Sequence, residues 1–102
     1  MVKQIRIGVG GRIVVPDRDT HVTTSKAADG PDQVQWLRVS GATGAYSIRF
    51  KSSPFQPGAQ TIAVPPSNPH TVTQGLGTYK YSVYEIVNGN EELRDDPNVV
   101  ID

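Results

Sequence analysis

From Tyr46 to Lys51 the chain alternates strictly: Tyr46, Ile48 and Phe50 are apolar, and Ser47, Arg49 and Lys51 are polar. A period of two puts one set on each face of a β-strand, whereas a helix would scatter both sets around its circumference. The signal recurs at Ile5, Ile7 and Val9, which alternate with Arg6 and Gly8. No stretch of helical length carries an apolar stripe at three-to-four spacing. The chain is therefore expected to be all-β.

Turn chemistry cuts this pattern into short pieces. Gly10-Gly11 separates the first strand from Ile13-Val14-Val15, which Pro16 stops. His21 to Ser25 is rich in β-branched residues, and Asp29-Gly30-Pro31-Asp32 supplies a turn before Gln33 to Ser40, where Val34 and Trp36 are expected to face inward. Gly41 to Gly44 turns the chain into the Tyr46 strand, which Pro54, Pro57 and Gly58 end. Thr61 to Val64 forms another strand, and the Pro65 to Pro69 segment reads as a surface connection. Tyr79, Tyr81 and Val83 share an inward face, while Tyr84 and Ile86 shift the parity and predict a bulge. Asn88-Gly89 is a hairpin turn, and Val99 to Ile101 can close a sheet. About seven or eight strands with such turn spacing predict a two-sheet antiparallel β-sandwich.

At 102 residues there is room for one domain, spanning 1–102. Ten Lys and Arg balance ten Asp and Glu, so no electrostatic footprint for nucleic acid is expected. No apolar run approaches the roughly 20 residues of a spanning helix, so no membrane insertion is expected either. Nothing after Lys3 resembles the apolar core of a signal peptide, and the cytoplasm is the simplest expected home unless a leader has been removed. There is no cysteine, hence no disulfide framework.

Three segments carry a resemblance. Asp32-Gln33-Val34-Gln35-Trp36, Tyr46-Ser47-Ile48-Arg49-Phe50 and Gly77 to Val83 resemble, in order and spacing, landmarks of the cupredoxin family. The ending Asp96-Pro97-Asn98-Val99-Val100 is similar to that of small copper-free bacterial members. The resemblance implies a Greek-key, cupredoxin-like sandwich, with an immunoglobulin-like sandwich as the alternative. It also implies positions for four copper ligands, which fall on Tyr46, Val83, Ile86 and, near the axial position, Glu91. None offers the imidazole or thiolate that blue copper needs, so fold without redox function and without a cofactor is expected.

Other constellations favour structural roles. His21 with Asp17 and Asp19 could offer donors to a divalent metal, but these carboxylates sit in a turn and face water, so no metal site is expected. His70 lacks a nucleophile or partner nearby in sequence, so no catalytic residue is expected. Gly8 to Gly11 and Gly75 to Gly77 lead into strands, not into the helix a phosphate cradle requires. The acidic group Glu91, Glu92, Asp95 and Asp96 reads as a solvated hairpin, and Trp36, Tyr79 and Tyr81 read as core. Phe55, between two prolines, is a hydrophobic plug or an exposed contact, and Tyr84 is expected on an outer face. Elimination leaves a non-catalytic protein-interaction or assembly module that binds a protein partner or itself. Its expected contact surface is a sheet edge at Ile5, Arg6 and Ile7 or at the terminal strand, together with Phe55 and Tyr84. A small-molecule or carbohydrate binder is the alternative.

Overall fold

A computed structural model of the chain describes residues 1–15 and 18–102; Pro16 and Asp17, and with them the Pro16 strand stop and the Asp17 donor, lie outside the described residues. Ten strands are described: β1 (Val2–Ile7), β2 (Ile13–Val15), β3 (Asp19–Val22), β4 (Gln33–Arg38), β5 (Ala45–Phe50), β6 (Gln60–Val64), β7 (His70–Thr71), β8 (Gly77–Val87), β9 (Asn90–Asp95) and β10 (Asn98–Ile101). A single 3-10 turn at Lys26–Ala28 is the one helical element among the described residues. No helix among them is long and apolar enough to cross a membrane.

The strands form two sheets. One has the order β2-β1-β4-β7, and the other has the order β3-β10-β8-β5-β6 with β9 also on β8. Their inner faces meet in one core, to which the first sheet gives Ile5, Ile7, Val34 and Trp36 and the second gives Ile48, Phe50, Tyr81, Val83, Val99 and Ile101. This is a β-sandwich, as the alternation predicts. It is not purely antiparallel: β1 runs parallel to β4 from Val2↔Gln33 to Ile7↔Arg38, and β3 runs parallel to β10. Parallel neighbours must be distant in sequence because their connection crosses over, and local periodicity carries no record of such pairs.

β8 is the spine of the second sheet. Its 11 residues, at about 3.3 Å each, extend roughly 36 Å, most of the molecule's 44 Å long dimension. On one flank β9 and β10 follow each other in almost one line, with Val83↔Asp95 and Lys80↔Asn98 in register and Tyr81 N–H donating to the Pro97 carbonyl at 3.0 Å between them. The other flank is β5, from Ala45↔Ile86 to Phe50↔Tyr81 without a break. The predicted bulge exists, but it belongs to β9, where Leu93 faces Tyr84 and Asp95 faces Val83, leaving Arg94 as the extra residue. The alternation of β8 itself never shifts, so Tyr84 and Ile86 both lie on the outer face with Ser82. The Asn88-Gly89 turn, with φ of 53° and 79°, is the two-residue type that suits a hairpin's twist.

Candidate functional site: an open strand edge beside a basic groove

Aromatic packing fixes the middle of the sandwich. The Trp36 ring, 1% exposed, meets Phe50, Phe55 and Tyr81 edge-on at centroid distances of 6.0, 5.9 and 5.5 Å. Its Nε1–H points at the Tyr81 hydroxyl at 3.4 Å, which satisfies the two polar atoms that these rings bring into the core. Burial is the main force that pushes the Tyr81 phenol well above its ordinary pKa. Phe55 is a plug under this cluster and not an exposed contact.

Placing that plug ends β5. After Phe50 the chain turns inward and buries Ser53, Pro54 and Phe55, which takes it out of register with β8. The turn is pinned on several sides: Ser53 N–H donates to the Gly58 carbonyl at 2.8 Å, and Ser53 Oγ pairs with Gln60 Oε1 at 2.6 Å. Phe55 N–H donates to Ser53 Oγ at 3.0 Å, and Thr73 Oγ1 donates to the Phe55 carbonyl at 2.8 Å. β8 meanwhile continues four residues further, from Lys80 back to Gly77.

The mismatch leaves a length of β8 with one flank open. Main-chain groups in an antiparallel ladder alternate between flanks. Since Tyr81 N–H points to Pro97, the N–H groups of Ser82, Lys80 and Thr78 point to the β5 flank. Ser82 has Arg49 opposite it, but no strand pairs with Thr78 or Lys80 on that side. Their N–H groups find no main-chain partner among the described residues. They open onto a groove of about 510 Å³ lined by side chains and backbone of Arg49, Lys51, Ser52, Tyr79, Ser82 and Asp96, among others.

The groove is cationic. Arg49 pairs with Glu91, which holds its pKa above the ordinary value through the hydrogen bond between them, and its guanidinium lies 4.6 Å from the centre of the Tyr84 ring. Lys80 Nζ is 2.9 Å from Asp96 Oδ2. Lys51 is exposed and has no ion-pair partner among the described residues.

The expected contact residues divide. Ile5 and Ile7 are wholly buried with their side chains in the core, and β2 pairs with β1 at Arg6 and Ile7 on the flank away from β4, so the expected edge at Ile5, Arg6 and Ile7 is corrected: Arg6 and Ile7 have a strand on both flanks, and Ile5 is paired to β4 alone. Arg6 alone of the three is exposed. The terminal strand is interior, between β3 and β8. Tyr84 is on the outer face, half-buried beneath Arg49. The open part of β8 escaped the sequence reading; the available clue was the length of the Gly77 to Val87 run against the short Tyr46 to Phe50 run.

The remaining candidates hold structure together. His21 is exposed on the outer face with Nδ1 2.8 Å from Asp102 Oδ2, and no group of three or more His, Asp or Glu converges among the described residues. His70 packs its ring against Phe55 and Trp36, and partial burial lowers its pKa. Tyr46 and Val83 point into the core, whereas Ile86 and Glu91 are on the exposed face, so the four positions matched to copper ligands do not converge. Burial, with Glu85 next, raises the Tyr46 phenol pKa against the opposing charges of Arg38 and Arg94. No protein-family model, curated protein or solved structure matches the chain.

Proposed function

We propose that the chain is a non-catalytic protein-interaction module, a copper-free sandwich of cupredoxin-like, Greek-key build, which binds an extended segment of a partner along the open flank of β8. One observation carries the proposal: β5 ends at Phe50 while β8 continues to Gly77, so Thr78 and Lys80 offer unpaired N–H groups within a pre-shaped groove. Strand addition gains affinity from main-chain hydrogen bonds and specificity from alternate side chains. The pinned Ser53 to Phe55 turn supports this use, because a rigid wall lowers the ordering cost of binding.

Selection of binders from a random displayed-peptide library, followed by hydrogen exchange on the complexes, tests the proposal. Bound peptides should slow exchange at Thr78 and Lys80. Thr78→Pro removes one open N–H without touching the ladder to β10, which uses Gly77, Tyr79 and Tyr81, so it should abolish binding and leave the fold intact. Binders that leave both amides in fast exchange, as a carbohydrate or small molecule on the outer face would, overturn it.

A further inference from the structure

The occupant's chemistry follows from the charge around the open edge, and rests on the strand-addition proposal. The chain as a whole is neutral, yet the groove is lined by three cationic side chains, Arg49, Lys51 and Lys80, against one acidic side chain, Asp96. Arg49 and Lys80 share the outer face of the sheet, because Ser82, opposite Arg49, shares its face with Lys80, and Lys51, just past the end of β5, is exposed and lines the same groove. A strand laid against Thr78 and Lys80 would set every second side chain among them. Its intervening side chains would turn toward Tyr79, a partly buried residue packed on the core. Arg49 and Lys80 already have carboxylate partners in Glu91 and Asp96, which leaves Lys51 as the lining cation without one among the described residues.

We infer that the segment added to β8 is an extended acidic peptide, with Asp or Glu at alternate positions on the outer face and small apolar or β-branched residues between them. Cross-strand pairs of opposite charge stabilise a sheet, and like charges directly opposite destabilise it. The wall of exposed cations thus selects against basic segments as strongly as it favours acidic ones.

Two synthetic peptides test the inference, Ac-Glu-Val-Glu-Thr-Glu-Val-Glu-NH2 and its counterpart with Lys at every Glu. Titration calorimetry gives affinities, and hydrogen exchange locates the contact. The acidic peptide should bind at least about ten-fold more tightly, equivalent to about 1.4 kcal/mol, and should protect Thr78 and Lys80. Lys51→Glu, at an exposed residue with no ion pair among the described residues, should melt like the unaltered protein and weaken the acidic peptide about five-fold. Raising the salt concentration should narrow the gap between the peptides. If both peptides bind equally and protect the same amides, the acidic preference is wrong and strand addition stands. If neither protects those amides, the inference and the proposed function fail together. Protection that rises with protein concentration in the absence of peptide would make a second copy the occupant and overturn the inference as well.

Discussion

Replacing Trp36 by Ala should bring the protein close to unfolding. The side chain is 1% exposed and meets four other aromatic rings, those of Phe50, Phe55, Tyr81 and His70, with Phe50 and Tyr81 coming from the opposite sheet. Truncating a buried Trp costs about 3 to 5 kcal/mol in lost transfer and residual cavity. The loss here should fall near the top of that range, because the neighbours are held from two sheets and from the pinned Phe55 turn and can collapse little into the space. A domain of this size has about 5 to 15 kcal/mol of stability in all. With a urea slope near 1 to 2 kcal/mol/M, the midpoint should fall by about 2.5 to 5 M. Circular dichroism is the appropriate probe, as Trp36 is the only tryptophan and its fluorescence disappears with it. Trp36→Phe should recover much of the loss by refilling the space. A loss below about 1 kcal/mol for the Ala variant would mean that the two sheets do not meet at Trp36, and the explanation of why β5 ends would fall with it.

Three further outcomes are expected. His70 has a pKa lowered by burial, so the folded state takes up its proton less readily than the unfolded chain, and stability is lost as pH falls through and below the ordinary histidine pKa; urea midpoints between pH 7.5 and 5 should fall less for His70→Gln than for the unaltered protein. Tyr81 has the opposite sign, since a phenol whose folded pKa is raised supplies stability that is present below about pH 10 and lost above it. Tyr81→Phe should therefore resist alkaline unfolding better, read from melts between pH 9 and 11.5. Gly11→Ala should cost about 1 to 2 kcal/mol by thermal melting, because φ there is +88° and the new methyl carbon would come within 2.7 Å of Arg94 Cγ; no measurable loss would mean that the β1–β2 turn does not rest on β9.

The face on which a side chain lies was largely legible in the sequence, and the strand beside it was not. Tyr46, Ile48 and Phe50 face inward as their alternation requires, and so do Val34 and Trp36. Ile5 and Ile7 follow the same rule, but the pattern that marks a strand's buried face says nothing of which flanks are paired, so the pairing of β2 with Arg6 and Ile7 was not legible. β8 misled for a different reason. Tyr84 and Ile86 are apolar residues on an outer face, Tyr84 covered by Arg49 and Ile86 38% exposed, so hydrophobicity stopped reporting direction there. The bulge that those residues suggested belongs to the acidic strand opposite, where charged residues leave no apolar rhythm to interrupt.

The open flank of β8 belongs to a level that no local pattern encodes, namely the difference in length between neighbouring strands. Its cause is nevertheless chemical. Phe55 completes the aromatic cluster because the chain leaves the sheet after Phe50, and the hydrogen bonds of Ser53 and Thr73 hold it there. The core is thus filled at the expense of the ladder, and β8 keeps its length on the other flank because β10 pairs with it as far as Gly77. Unpaired strand edges invite unwanted association, and charge is a common means of discouraging it. Lys51 and Lys80 do that at the Thr78 to Lys80 opening, as Glu91 and Glu92 do along β9. The same cations that repel a neutral or basic edge would attract an acidic one, so the features protecting this sheet from promiscuous pairing are those that would define its partner.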